Sequence, residues 1–381
     1  MGTTFFVLAL LQCALLFFLS RVGSRLDREE RKPAPQRTHW PRTGLIVPAG
    51  GNHPRMREAL ESLLKQDYPA LYPVIVTATA GIARELQARY PQLRHVVAGF
   101  AKGCGQKNHN SLKGVEAVED EVELLAFCDS THIAPRDFIR RLVAPVVDGE
   151  DFSTGYHKVV ARDTGIVTMA YALCVQLMRY LQGISSFTQL WGGAMCFRLS
   201  AFRRYGVREF WMSNVVDDCS LADRLIHLGA RIRLSGDAVL MTEAREHDLG
   251  VWHHWMDRQI LFLKFCIPYQ WVLLGVLACL MLLPVLWAVL AVLGVLLGKL
   301  SFGWLVGVLV YAAALALVLR GWAHFQEAVF PVWRWMVAFC ASACMFVWVY
   351  LGTILAEGVL WQGIWYEVGR QGRVIRMRRQ K

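Results

Sequence analysis

The chain has 381 residues, of which 55% are hydrophobic, and it carries a formal net charge of +11. Its mean hydropathy of +0.34 is too high for an ordinary soluble domain. The excess of basic residues is expected to attract anionic lipid headgroups, because no stretch of the sequence resembles a nucleic-acid-binding module.

Uncharged apolar runs near both ends divide the chain into membrane and water-facing parts. Residues 5–20 form the first run, and residues 265–298, 300–319 and 335–356 form three more. Each of the last three can supply the ~20 residues that cross a bilayer. The stretch between, roughly residues 21–264, has the charge density of a soluble α/β domain. We therefore predict a multi-pass integral membrane protein with one water-facing domain.

The first apolar run is predicted to be a membrane anchor that stays attached to the chain. No Lys or Arg precedes it and no small-x-small cleavage site follows it, whereas basic residues begin at Arg21. By the positive-inside tendency, the N-terminus is expected outside and the water-facing domain in the cytoplasm. Four crossings would place the arginine-rich tail outside, which conflicts with that tendency. Either one segment is re-entrant or interfacial, or the tendency fails here.

These shifts in composition predict six parts of the chain. They are an N-terminal transmembrane anchor (1–20), a basic linker (21–43), a water-facing domain (44–250), an interfacial helix (251–270), about three C-terminal transmembrane helices (271–357) and a basic tail (358–381).

The first half of the water-facing domain alternates short apolar runs with amphipathic segments. Strands are predicted in "GLIVPA", "YPVIVTATA", "LRHVVAG" and "ELLAFCDS", with helices such as "RMREALESLLKQ" between them. This alternation predicts an α/β fold with a mostly parallel sheet, in which ligands bind beyond the carboxyl ends of the strands. Pro48, Ala49, Thr79 and Asp129 fall at that edge.

Asp129 ends the fourth predicted strand and is followed by Ser130 and Thr131, so a second carboxylate two residues later is missing. A carboxylate at this edge can hold Mg²⁺ or Mn²⁺ against a diphosphate. An isolated Asp can equally cap the turn into the next helix. Both interpretations stay open on these residues alone.

Asp217 and Asp218 come directly before an amphipathic helix. They can serve as a helix N-cap and a first-turn acid. Alternatively, one of them is a general base that takes a proton from an acceptor hydroxyl, because a neighbouring like charge raises its pKa.

Two glycine-containing stretches are candidates for close approach to a ligand. In "GCGQKNHN", glycines precede Lys107 and Asn108 at a predicted helix start, which suits phosphate contacts. In "QLWGGAMCF", Trp191 offers a flat face for a sugar or lipid, and Gly192 and Gly193 let the backbone come close, although a tight turn explains them equally well.

The stretch "VWHHWMDRQ" lies immediately before the C-terminal apolar runs. An interfacial amphipathic helix with Trp and Arg at headgroup level accounts for it. A functional interpretation places Arg258 against a diphosphate, Trp255 against the acceptor and Gln259 beside them.

Taken in order, these stretches resemble the family 2 glycosyltransferases, and within them the ceramide-glucosyltransferase-like branch. The matching pieces are "IVPAGG", "SLLKQDYP", "GCGQKNHNSLKG", "FCDS…P", "TGYHKV", "WGGAMCFR", "VVDDCSLADRL" and "WMDRQ", with "WQGIWY" near the end of the chain. The resemblance implies a GT-A fold, which is a Rossmann-like domain that binds a nucleotide sugar. It also implies inversion at the anomeric carbon by direct displacement.

For single residues, the resemblance implies the metal-diphosphate position at Asp129, with Mg²⁺ or Mn²⁺, and the catalytic base at Asp218. It places Lys107 and Asn108 beside the donor pocket. It also implies that residues 255–259 close over donor and acceptor.

Three positions depart from the family's pattern. Thr79 is near the end of the second strand, where an acid usually contacts the nucleotide. Thr131 replaces the second acid of the metal element, and His254 stands where Arg is expected. The base of the nucleotide and the affinity for metal therefore stay open.

The function that the resemblance implies is transfer of a sugar from a UDP-sugar, with UDP-glucose favoured, to a hydroxyl of a membrane lipid such as ceramide or diacylglycerol. The expected location is a bacterial inner membrane with the catalytic domain in the cytoplasm. Two alternatives are kept: a processive polysaccharide synthase, and a catalytically silent scaffold that retains the fold.

Overall fold

The computed structural model describes residues 2–50, 55–79, 82–326 and 330–379. Its strands are β1 (Thr43–Ala49), β2 (Leu71–Thr77), β3 (Arg94–Val97), β4 (Leu124–Cys128), β5 (Phe152–Ala161), β6 (Ala194–Arg198), β7 (Ile232–Ala244), β8 (Gly358–Trp361), β9 (Ile364–Val368) and β10 (Val374–Arg379). Its helices are α1 (Gly2–Glu30), α2 (Met56–Leu64), α3 (Ile82–Arg89), α4 (Gln106–Glu116), α5 (Phe138–Val147), α6 (Ile166–Gln182), α7 (Leu199–Arg204), α8 (Val207–Trp211), α9 (Cys219–His227), α10 (Leu249–Cys266), α11 (Pro268–Leu296), α12 (Gly303–Ala323) and α13 (Val332–Thr353).

Seven strands form one sheet in the order β3-β2-β1-β4-β6-β5-β7. Four of its six strand pairings are parallel, and β6 is antiparallel to both of its neighbours. The predicted α/β class with a mostly parallel sheet is confirmed. Strand β1 lies inside the sheet, with a strand on each side, and both of its faces are buried: Leu45 and Val47 pack into one core, and Ile46 packs into the core on the opposite face.

Helix α1 extends beyond the predicted anchor at residues 1–20 and ends at Glu30. The start of the predicted basic linker is therefore helical. Glu30 pairs with Lys158 at 3.4 Å and with Arg179 at 2.8 Å, both on the water-facing domain. These contacts fix the end of the anchor helix to the domain.

Four helices of the described chain, α1, α11, α12 and α13, are long and apolar enough to cross a membrane. Helix α13 also contacts the water-facing domain and α10 at several points along its length. Arg334 near its start donates to the carbonyl of Thr164 at 2.9 Å, and Ser342 donates to Ala170 of α6 at 3.1 Å. At its end, the Thr353 carbonyl accepts from Lys264 of α10 at 2.7 Å.

Three of the four, α11, α12 and α13, lie in the C-terminal part of the chain, where about three transmembrane helices were predicted. How many of them cross the membrane stays a prediction. The predicted basic tail (358–381) is not a simple tail, because β8, β9 and β10 form a three-stranded antiparallel sheet. This sheet packs on the water-facing domain.

A buried glutamine joins three of the apolar helices. Gln12 of α1 donates to the carbonyls of Leu280 and Met281 of α11, at 3.1 and 2.8 Å, and accepts from the Tyr311 hydroxyl of α12 at 2.6 Å. Its side chain is fully buried. Hydrogen bonds of this kind hold membrane helices in one register.

We expect Gln12→Leu to lower the free energy of unfolding by about 1 kcal/mol, because it leaves the Tyr311 hydroxyl without its acceptor. Thermal unfolding in lipid nanodiscs measures the change. Leu11→Ala, at an exposed position next to Gln12, is the control and should change stability less. Equal melting temperatures for Gln12→Leu and the wild type would contradict the structural role of Gln12.

Candidate active site

A cavity of about 1620 Å³ lies at the carboxyl ends of β1, β2 and β4. It is bounded by the sheet edge, by α10 and by the C-terminal three-stranded sheet. All predicted site residues but one line it: Pro48, Ala49, Lys107, Asp129, Trp191, Gly192, Gly193, Asp217, Asp218, Trp255, Arg258 and Gln259. The sequence therefore identified a group of residues that are far apart in the chain and close in space.

Asn108 is the exception among the predicted site residues. It is completely buried, and its side-chain amide donates to the carbonyls of Asn214 at 2.9 Å and Val216 at 3.1 Å. It faces the loop before Asp217 and not the cavity, so the structure assigns it a positioning contact in place of the predicted donor contact.

Lys107 lies at the centre of the acidic residues. Its ammonium is 2.7 Å from Asp129 and 3.0 Å from Asp217, and it donates to the carbonyl of Gly192 at 2.9 Å. Burial would lower the pKa of Lys107, but the carboxylates of Asp129, Asp217 and Asp218 together raise it. Lys107 is therefore charged at neutral pH and links three loops of the site.

The local sequence explains how Lys107 reaches this position. A Cβ on Gly105 would lie 2.0 Å from the carbonyl oxygen of Val215, so only glycine allows α4 to begin against that loop. A Cβ on Gly192 would likewise lie 2.7 Å from both carboxylate oxygens of Asp217. Gly105 therefore lets α4 begin against the backbone of Val215, and Gly192 leaves room for the side chain of Asp217.

Asp217 and Asp218 have different surroundings. Asp217 is buried, and burial raises its pKa to about 6, with Lys107 opposing the rise and Asp218 and Asp129 adding to it. Asp218 is the N-cap of α9. Its two carboxylate oxygens accept from the backbone amides of Cys219 at 2.6 Å and Gly192 at 3.0 Å. Asp218 therefore caps α9 and also lines the cavity, so the two interpretations of this residue are compatible.

Asp129 reaches the cavity with a side chain that is 31% exposed. One of its oxygens contacts Lys107, and the other is 4.0 Å from Nε2 of His132. In the described residues, no group of three or more His, Cys, Asp or Glu side chains is placed to hold a metal. One carboxylate oxygen is left for a cation, and Mg²⁺ commonly needs only one or two carboxylates when a substrate diphosphate completes its ligands.

Aromatic residues also line the cavity. Trp191 stacks on His157 with ring centroids 4.7 Å apart and planes 9° apart, so one face of its indole is already covered. Trp255 contacts Tyr171 edge to face at 5.2 Å. The guanidinium of Arg258 lies 5.8 Å from the ring centroid of Trp361. Burial lowers the pKa of Arg258, and the Asp129 carboxylate opposes this effect.

Several residues of the cavity were not among the predicted site residues. Trp361, Gln362 and Ile364 reach the cavity from the C-terminal sheet, and Tyr156 reaches it from the domain. The "WQGIWY" match was the one signal for the first three. These residues lie some 300 positions after β1 in the chain, so no periodic pattern in the sequence predicts that they come close to it.

Comparisons with known proteins identify a family and a fold for this chain. The family model described as glycosyl transferase family 21 matches residues 4–374. Among curated proteins, none matches this sequence significantly. A similar solved structure is the mannosyltransferase PcManGT from Pyrobaculum calidifontis in complex with GDP-Man and Mn²⁺, at 19% identity and a TM-score of 0.52, covering 90% of this chain and 98% of that one.

Two other solved structures are less similar. S. aureus TarS is 16% identical with a TM-score of 0.37, covering 58% of this chain and 40% of that one. A mycobacterial protein is 16% identical with a TM-score of 0.35, covering 63% of this chain and 76% of that one. The fold likeness at 0.52 confirms the predicted GT-A fold.

Proposed function

The chain belongs to glycosyl transferase family 21, and from this premise we propose that it moves a sugar from a UDP-sugar to a hydroxyl of a membrane lipid with inversion. UDP-glucose is the favoured donor, and ceramide or diacylglycerol is the favoured acceptor class. The observation that carries the proposal is a single cavity that has a charged cluster at the sheet edge and an apolar wall beside the spanning helices.

The charges of the cavity support a position for the donor. The nucleoside lies beyond β1 and β2, beside Pro48 and Ala49, as ligands do in sheets of this kind. Its diphosphate lies toward Lys107 and Arg258, which both line the cavity and supply positive charge.

A divalent cation fits the oxygen that Asp129 leaves free, and Thr131 offers a hydroxyl at the same edge. Such an ion neutralises charge on the diphosphate as it leaves. Lys107 holds Asp129 in place and counters the charge of Asp217 in the same cluster.

Transfer needs a base on the acceptor side, and we assign this role to Asp218. The acceptor hydroxyl gives its proton to the Asp218 carboxylate while its oxygen bonds to the anomeric carbon. The bond from that carbon to the diphosphate oxygen breaks in the same step, and UDP leaves. The two backbone amides that bind Asp218 fix its direction, which favours attack from one face.

The apolar wall accounts for a lipid acceptor. Val251, Trp255 and Leu263 of α10 line the cavity, and α10 leads directly into the apolar helix α11. A lipid can therefore offer its hydroxyl to the cavity while its chains stay in the bilayer. We place the domain on the cytoplasmic face of a bacterial inner membrane, on the side that bears the basic residues after α1 and near the C-terminus.

The purified protein in nanodiscs, offered labelled UDP-sugars and lipid extracts, tests the function. A lipid bearing one sugar, with the opposite anomeric configuration to the donor, is the expected product. Long polymer would support a processive synthase instead. Absence of nucleotide binding and of turnover would support a silent scaffold.

Removal of divalent metal by a chelator is expected to weaken UDP binding by ~10-fold or more, because the diphosphate loses its counter-ion. Isothermal titration with and without Mn²⁺ measures this. Thr131→Asp should tighten metal binding, and Asp129→Asn should make UDP binding independent of metal. UDP affinity that the chelator leaves unchanged would mean that Lys107 and Arg258 neutralise the diphosphate without a metal.

A further inference from the structure

We propose that the C-terminal sheet supplies a residue that recognises the nucleoside of the donor, and that this residue is Gln362. The proposal rests on the proposed function, because it assumes a nucleotide donor at the ends of β1 and β2. It adds a specificity-determining contact from a segment that follows the last apolar helix and lies more than 300 residues from β1 in sequence.

Gln362 is the first residue of the two-residue turn between β8 and β9. It has φ of +49°, and Gly363 after it has φ of +73°. A turn with two positive φ values favours Asn, Asp or Gly at its first position. Glutamine gains nothing from this backbone, so the turn geometry does not account for its long amide side chain.

The side chain of Gln362 lies over the end of β1. Its Oε1 is 3.1 Å from the position that a Cβ on Gly50 would take, directly after Pro48 and Ala49. All four residues line the cavity. The exposed carboxamide both donates and accepts hydrogen bonds, which matches the base edge and ribose hydroxyls of a nucleoside.

Hydrogen bonds hold the C-terminal sheet against the catalytic elements. The Tyr366 hydroxyl of β9 accepts from the backbone amide of Gln106 at 3.2 Å, at the start of the helix that carries Lys107. The backbone amide of Val215 donates to the carbonyl of Gly372 at 2.9 Å. Gln362 is thus fixed relative to both Lys107 and Asp217, as a recognition contact requires.

Strand β10 closes the same end of the cavity. The guanidinium of Arg379 in β10 lies 3.6 Å from the ring centroid of Phe100, and Phe100 lines the cavity. The C-terminal sheet therefore contacts the domain through both β9 and β10. Without these contacts, the turn between β8 and β9 could move away from the domain. With them, the side-chain amide of Gln362 stays over β1.

The test compares Gln362→Gly with Gln371→Gly in the full-length protein in nanodiscs. Gln371 also precedes a glycine and also has a positive φ, of +56°, but it lies outside the large cavity. Glycine fits both backbones, so neither variant should strain its turn. We expect Gln362→Gly to weaken UDP binding roughly 5-fold, and Gln371→Gly to leave it unchanged.

UMP serves as a second probe because it carries the nucleoside without the β-phosphate. An equal loss of affinity for UDP and UMP is expected from a nucleoside contact. A loss confined to UDP, or equal UDP affinities for the two variants, would overturn the role of Gln362 while leaving the proposed function intact. A wild-type protein that binds neither nucleotide would overturn the proposed function itself.

Discussion

Asp218→Asn is expected to reduce sugar transfer by ~10²-fold or more while UDP binding persists. The amide cannot accept the proton of the acceptor hydroxyl, so the step that forms the glycosidic bond loses its base. Asparagine also caps helices well, so α9 should still begin after residue 218. Single-turnover transfer of labelled sugar measures the loss, and titration with UDP measures donor binding.

Asp217→Asn is the matched comparison, because it makes the same chemical change one residue away. Asp217 is buried against Lys107, whereas both oxygens of Asp218 accept from backbone amides. A smaller loss of transfer is therefore expected for Asp217→Asn. If Asp217→Asn abolished transfer and Asp218→Asn retained it, the base would be Asp217, whose pKa of about 6 also suits that task.

The strands and the sheet edge that borders the cavity could be predicted from the sequence because their signals are local. β1 is an apolar run that ends in Pro48-Ala49, and β4 is one that ends directly before Asp129; the chemistry of the residues at such an edge follows from the fold. Asp218 was found for a similar reason, since an acid before an amphipathic helix is visible in a short window.

The contacts that organise the site were not predictable in this way. The position of Lys107 between Asp129 and Asp217 depends on three loops that meet only in the folded chain. Asn108 has the polarity of a ligand-binding residue, and only its burial shows that it binds backbone. The sheet that contains Gln362 was predicted to be a basic tail, because its strands are short and the last of them, β10, is rich in arginine.

Lys107→Met is expected to lower the free energy of unfolding by about 3–5 kcal/mol, because it leaves the buried Asp217 carboxylate without its partner. Transfer should fall by ~10²-fold or more as well, since the charge that faces the diphosphate is lost. Thermal unfolding in nanodiscs measures the first effect. Lys65→Met, at an exposed lysine that pairs with Glu61 at 3.5 Å, is the control and should change stability little.

The double variant Lys107→Met with Asp217→Asn separates these two effects. Removing the carboxylate also removes the unpaired buried charge, so the double variant should be more stable than Lys107→Met alone. Transfer should stay low, because Asp129 still lacks the ammonium that holds it at 2.7 Å. If transfer returned together with stability, Lys107 would serve only to balance charge, and the diphosphate would have to be neutralised by Arg258 and a metal ion.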